Sequence, residues 1–341
     1  MAPPLPTRRA PLAALLGALA AVRAAPIGVA TTWQCSELAR AALAPGATWQ
    51  RLTCAGQGVP VFGPAGPGLI VNVVTADIAS AALRLRLAPI QAAPNAQGLR
   101  LGPLDTIAAQ DARALAGVNG GYFWRMDVGK NWFDDVCIGK NYSEAGTAPT
   151  LADPNAGPAD GLIVSGGVLL GSNCDCVGFS RPTVLTIDGA NSRFDVLHRG
   201  AAPPQGLAKD AVGSSPNLVS TNASGSFVDI PSDDDNIGNI LEHAANTAVG
   251  LRASAGGGMQ ALLVTTDGYD GCSPFNATCG TNAFTLAYFF KDYLNATSAM
   301  NMDQGGSTTM WVKGQPGDGV VSNSGGGPRS INSGVFIMSD A

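Results

Sequence analysis

Apolar and polar positions along the chain fall into short runs broken by glycine. "LIVNVVTADI" (69–78) and "AALRLRLAP" (81–89) read as strands, the second alternating leucine and arginine with period two, as a strand with one buried face requires. "GLIVSGGVLL" (161–170) reads as a hairpin, two apolar runs joined by Ser-Gly-Gly. "TVLTI" (183–187), "TAVGLR", "MQALLVTTDG", "AMNMD", "TTMWVKG" and "SGVFIMS" read as further short strands, and "GVNGGYF" as a strand running into a glycine turn. Helical spacing is clearest in "NAFTLAYFFKDYLNA" (282–296), where Ala283, Leu286, Ala287, Phe290, Tyr293 and Leu294 share one face. Asp105 stands where it can cap a second helix over "TIAAQDARALA". No fixed-period repeat is visible. The pattern predicts an α+β fold: a mixed, largely antiparallel sheet with a few flanking helices.

The chain divides into three stretches. Residues 1–25 read as a signal peptide: Arg8-Arg9, then "PLAALLGALAAV", then small residues at Ala24 and Ala25. Its twelve apolar residues are too few to span a bilayer, and no later run is longer, so no stable membrane insertion is expected. Residues 26–68 form a cysteine-bearing lead-in that ends in "GPAGPG", a linker or turn. The remainder, 69–341, is the main domain.

Composition narrows the picture. At 45% hydrophobic, 341 residues suffice for a sizeable core. A net charge of −5 with no basic stripe excludes nucleic acid as a partner. An exported chain meets oxidising conditions, so most of the seven cysteines are expected in disulfides. Cys35 with Cys54 and Cys272 with Cys279 are the natural local pairs; Cys137 pairs with Cys174 or Cys176, and the odd count leaves one thiol over. Sequons at Asn141, Asn222, Asn276 and Asn295 fit a secreted glycoprotein, in a secretory lumen or, for a bacterial host, the periplasm or exterior.

Candidate chemistry is bounded by what is scarce. The two histidines, His198 and His243, stand in unrelated contexts, which speaks against a serine triad or a histidine metal cage. There is no G-x-S-x-G elbow and no Walker loop. The "CDC" at 174–176 lacks further ligands nearby, and "PSDDDN" (231–236) lacks the spacing of a calcium loop and reads as a solvated turn, so no metal is assigned. Three stretches share one design, an apolar strand, a polar residue and glycines: "GVNGGYF" (117–123), "LLVTTDGYDG" (262–271) and "NMDQGGSTTM" (301–310). A polar side chain at a strand end is held by a rigid sheet, and glycines open the backbone to close approach, with N–H groups able to form an anion-binding nest. Three such ends imply convergence on one pocket.

These segments carry a resemblance. "NGGYF" followed by "CIGKNYSEAG", then "AVGSSPNLVS", "LLVTTDGY", "TLAYFFKDYL", "AMNMDQGGSTTMWVKG" and "GPRSINSGVFI" reproduce, in order over roughly residues 70–340, the segments of the phosphodiester glycosidases, which the chain resembles. Gln304 stands where that family usually has the first of three glycines, Asn246 where it has arginine before Thr-Ala, and Tyr269 where arginine is frequent. The resemblance implies hydrolysis of the C1–O bond of a sugar-1-phosphodiester, of the N-acetylglucosamine-1-phosphodiester type, releasing free sugar and a phosphomonoester. The substrate would be a phosphoglycan or glycoprotein, with no cofactor. Asp303 is then the first candidate for the acting carboxylate and Asp267 the second, with Arg329 pairing with phosphate. Gly305, Gly306 and Ser307 would bind phosphate through their N–H groups. Asn119 would hold a sugar hydroxyl or orient an acid, on the Gly120-Gly121 turn, and Tyr122 would stack on the sugar. The alternatives are a non-catalytic module for anionic glycans on the same scaffold and a phosphodiesterase cutting P–O.

Overall fold

The computed structural model describes residues 32–57, 69–89, 99–123, 159, 161–171, 183–196, 209–230, 240–268, 280–325 and 329–340. The signal-peptide reading, "GPAGPG", "PSDDDN", Tyr269, His198 and the pairings of Cys137, Cys174, Cys176, Cys272 and Cys279 lie outside the described residues. So do Asn141 and Asn276; Asn222 and Asn295 are both exposed.

In chain order the first strands are Thr32–Ala44 (β1), Ala47–Gln57 (β2), Leu69–Asp77 (β3), Leu83–Pro89 (β4), Ala114–Asn119 (β5) and Ile163–Ser165 (β6). Next come Val168–Gly171 (β7), Thr183–Ile187 (β8), Arg193–Val196 (β9), Asp210–Ser214 (β10), Asn217–Asn222 (β11) and Gly225–Val228 (β12). Asn246–Ala253 (β13), Met259–Thr266 (β14), Ser298–Asn301 (β15), Met310–Val312 (β16) and Ser333–Ser339 (β17) complete the set. Among the described residues the α-helices are Leu104–Ala108 (α1) and Ala283–Tyr288 (α2), the latter continuing as a π turn over Phe289–Tyr293.

Among the described residues the strands form three sheets: an eight-stranded one ordered β1-β2-β3-β14-β13-β15-β11-β12, a five-stranded one ordered β7-β6-β10-β8-β9, and a four-stranded one ordered β16-β5-β17-β4. Every pairing among the described residues is antiparallel, which corrects the expectation of a mixed sheet, and strand greatly outweighs helix. The hairpin β1–β2 pairs with β3 and extends the large sheet. Cys35 and Cys54 face each other across it and form a disulfide, as the spacing predicts.

Alternation explains the layering. On β14, Ala261 and Leu263 enter one core while Leu262 and Val264 enter another, and β3 divides in the same way, Val74 and Ala76 against Val71 and Val73. The first core lies between the large sheet and the two smaller ones; the second lies under α2 and its π turn, where Phe289 and Phe290 are fully buried. Burial of each such ring contributes about 1.5–3 kcal/mol. Gly250 on β13 leaves room for Phe290, since a Cβ there would lie 2.6 Å from the ring. Between the smaller sheets, Arg86 of β4 pairs with the buried Asp210 of β10.

The expected helix over "TIAAQDARALA" is only one turn. Its N-cap is Pro103 with no side-chain bond, Asp105 sits inside the first turn, and the helix ends at Ala108. Ala114–Asn119 instead becomes a wholly buried strand between β16 and β17. Two flanking ladders and complete burial outweigh the helix preference of two alanines and a leucine, which is worth only tenths of a kcal/mol per residue.

Candidate active site

The polar ends of several strands meet where the three sheets touch. β5 ends in Asn119, which is fully buried. Its Nδ2 donates to the Asp303 carbonyl (2.8 Å) and to the Gly120 carbonyl (3.3 Å); its Oδ1 accepts from Thr247 Oγ1 (2.6 Å) and from the Thr309 N–H (3.1 Å). The amide is thereby saturated. All four bonds of Asn119 thus go to the protein, one of them to the Asp303 backbone.

The glycines after Asn119 serve close packing of the protein on itself. A Cβ at Gly120 would lie 2.2 Å from Ser333 Oγ, and one at Gly121 would lie 2.4 Å from the Gly213 carbonyl. Gly120 also donates to the Ser333 carbonyl (2.8 Å) and accepts from the Asp303 N–H (3.2 Å). The turn therefore touches β17, β10 and the segment after β15 at once. Tyr122 follows it and is 8% exposed.

Asp303 follows β15 and is 8% exposed; its Oδ1 accepts from the Gln304 N–H (2.9 Å). Gly305, at φ +64°, starts a short 3₁₀ turn through Ser307, a left-handed conformation suited to glycine. The Gly305 N–H donates to the Ala245 carbonyl (2.8 Å), so it is committed to the scaffold, contrary to its expected place among the phosphate donors. Arg329 lies on this same turn. Its N–H donates to the Gly306 carbonyl (3.2 Å), its Nη1 reaches Ser307 Oγ (3.4 Å), and a Cβ on Gly306 would meet its Nη2 at 2.6 Å. Gln304, Gly305, Gly306 and Arg329 are half-exposed, so a cation and the Gly306 backbone reach solvent on the turn that follows the nearly buried Asp303. That set can hold an anion next to an acid.

Asp267 is arranged differently. One carboxylate oxygen pairs with Arg51 Nη2 (2.8 Å); the other accepts from the Asn323 N–H (2.9 Å) and lies 3.5 Å from Asn72 Nδ2. Burial raises its carboxyl above the ordinary value, opposed by the Asn323 N–H and the Arg51 charge. Both oxygens are thus engaged within the protein.

Asn246, at the position where arginine was expected from the resemblance, faces the helix side of the large sheet. It is fully buried, and its Nδ2 donates to the carbonyls of Ala244 (3.1 Å) and Thr281 (2.6 Å). It ties the start of β13 to the segment that leads into α2.

Several contributors escape sequence reasoning. Arg51, Asn72, Thr265 and Thr247 are register partners in one row across β2, β3, β14 and β13, a polar end to the inner face of the large sheet. The signal present in the sequence was Asn72, a lone amide inside "LIVNVV".

Comparison with known proteins follows the same segments. Residues 112–338 match the model of a family described as phosphodiester glycosidase, two thirds of the chain. The chain belongs to the phosphodiester glycosidase family. Among solved structures, the catalytic domain of zebrafish N-acetylglucosamine-1-phosphodiester alpha-N-acetylglucosaminidase, auto-inhibited by its pro-peptide, superposes with a TM-score of 0.54 at 16% identity, covering 90% of this chain and 88% of that one. A hypothetical protein from Synechocystis gives 0.51 at 14% identity, covering 92% and 69%. At these identities the likeness shows the fold. No curated protein matches the sequence. Among the described residues no helix is long and apolar enough to cross a membrane, and no group of metal-ligating side chains is found.

Proposed function

We propose that the protein hydrolyses the C1–O bond of a sugar-1-phosphodiester of the N-acetylglucosamine-1-phosphodiester type, releasing free sugar and leaving a phosphomonoester on a glycan or glycoprotein. The observation that carries this reading is the seating of Arg329 on the Gly306-Ser307 turn that follows Asp303, in a chain of this family. Family membership supports hydrolase chemistry; an anion cradle beside an acid supports a phosphodiester as the bond-bearing group.

The chemistry fits a site poor in histidine. Glycosidases that expel an alkoxide need an acid to protonate it and a second carboxylate opposite. An alkoxide is about as basic as hydroxide, whose conjugate acid has a pKa of about 15.7. A phosphomonoester leaves as a much weaker base, with a conjugate acid near pKa ~6. Proton donation, typically worth roughly 100- to 10,000-fold, then matters far less. One carboxylate with good anion binding suffices. Asp303 activates water or stabilises the oxocarbenium-like sugar; Arg329 and the Gly306 N–H hold the phosphate, and the fully buried Ser307 backs Arg329 through its Oγ. Asp267, bound at both oxygens, is the weaker candidate for the reacting carboxylate. An N-terminal signal-like segment and the Cys35–Cys54 disulfide support an exported protein.

Hydrolysis of a sugar-1-phosphodiester in oxygen-18 water tests the reading. Label in the free sugar is the expected result; label in the phosphate would mean P–O cleavage and overturn it. Asn246 in place of the usual arginine favours one other reading, a module that binds anionic glycans without cutting them, and tight binding with no sugar released would decide for it. Arg329→Ala should raise KM and lower kcat together, and an unchanged kcat/KM would make Arg329 structural.

A further inference from the structure

We infer that Arg51, in the hairpin that precedes the family-matched segment, is a positioning residue that holds the Asp303–Ser307 turn in its working geometry. The inference rests on the reading of that turn as the reaction site. Arg51 lies on β2, well before residue 112 where the family match begins. Its guanidinium grips two segments at once: Nη2 binds Asp267 Oδ2 (2.8 Å) and Nη1 donates to the Val321 carbonyl (2.6 Å). A planar fork can do this; a lysine ammonium at the end of one flexible stem cannot reproduce it.

From this grip, two paths lead to the turn. In the first, Asp267 Oδ1 accepts the Asn323 N–H, and Asn323 in turn accepts the Gly268 N–H (2.8 Å), closing a ring between the 267–268 and 321–323 segments. Gly268 packs on Ala245 so closely that a Cβ would lie 2.6 Å from the Ala245 nitrogen. The Ala245 carbonyl then receives the Gly305 N–H. In the second path, Val321 donates to the Met310 carbonyl (3.0 Å) and Ser322 Oγ accepts the Met310 N–H (2.8 Å), which fixes the strand that leaves the same turn. The turn is thus held at both ends by backbone that Arg51 clamps. Asp267 acquires a role in the same step, as the anion that Arg51 holds and that orders Asn323.

The inference is tested on the full chain with Arg51→Met, which keeps the aliphatic stem, and with Arg51→Lys, which keeps the charge if the first variant fails to fold. Two measurements are made: site-resolved amide exchange at Gly305, and steady-state turnover of a sugar-1-phosphodiester with and without added guanidinium ion. The expected result is faster exchange at Gly305 and a fall in kcat/KM of about 100-fold, the cost of a small misplacement of a site from afar. Guanidinium should restore part of the Arg51→Met loss, because it can refill the position between Asp267 and Val321; a general weakening of the fold would not respond in this way. A folded variant with unchanged Gly305 exchange, or one whose activity matches the wild type, overturns the inference. If Gly305 exchange responds while the wild type itself releases no sugar, the proposed reaction fails and the mechanical link stands, so the two failures are distinguishable.

Discussion

Asn119 makes four hydrogen bonds, all to the protein itself, and joins β5 to Thr247, Asp303 and Thr309. Removing its amide strands a buried Thr309 N–H and a buried Asp303 carbonyl. Each orphaned group costs about 1–3 kcal/mol. Asn119→Ala should therefore lower unfolding free energy by several kcal/mol in a denaturant titration; a change within error would show that the amide is dispensable. At this scale the sequence was only half legible. The polar residue before Gly-Gly stands out, but its partners Thr247, Asp303 and Thr309 lie 128, 184 and 190 residues further along the chain. In sequence these glycines suggest room for a ligand; at Gly120 and Gly121 that room is filled by Ser333 and Gly213. Gly305, with positive φ and nothing near its missing Cβ, and Gly306, under Arg329, belong to an open turn.

At the scale of elements, α2 depends on a cap coupled to a histidine. Asn282 is the N-cap, its Oδ1 accepting from the Thr285 N–H at 2.9 Å, while its Nδ2 lies 3.3 Å from His243 Nε2. His243 Nδ1 lies 3.3 Å from the Gly280 carbonyl, which can only accept, so the proton sits on Nδ1 and Nε2 accepts. Protonating Nε2 would oppose two donors, and turning the Asn282 amide would cost the cap. Burial lowers the His243 pKa below its ordinary value, with the Gly280 carbonyl acting in the other direction. The unfolded chain then binds the proton more tightly. The stabilisation is complete above the unfolded pKa of about 6.5 and is lost as pH falls through the lower folded value. Melting curves from pH 7 to 5 should fall more steeply for the wild type than for His243→Gln, by at most about 1.4 kcal/mol per pH unit; parallel curves would contradict this. Glu242, raised by burial, works in the opposite sense in both proteins and cancels. Strands with strict alternation, such as β4, were legible. The hairpin β1–β2 was not, because "SELARAALA" is rich in helix formers, and its pairing with β3 and the disulfide override that preference.

At the largest scale, the described residues form an eight-stranded sheet covered by α2 on one face and by two smaller sheets on the other, with the candidate site where those sheets meet. Strand content and antiparallel hairpins could be anticipated; the division into three sheets could not, since it depends on long-range pairings such as β5 between β16 and β17. The Cys35–Cys54 disulfide staples the edge hairpin that carries Arg51. In the chain-entropy account, a loop with a sequence separation of 19 stabilises by about 3 kcal/mol. Replacing both cysteines with serine should lower the denaturant midpoint accordingly, and an unchanged midpoint would mean that the hairpin frays independently of the rest. The proposed reaction turns on Asp303. The decisive measurement is kcat of Asp303→Asn on a sugar-1-phosphodiester, with folding verified by its melting curve. A loss of several orders of magnitude with the fold intact is predicted; near-normal turnover would remove Asp303 from the chemistry and contradict the account.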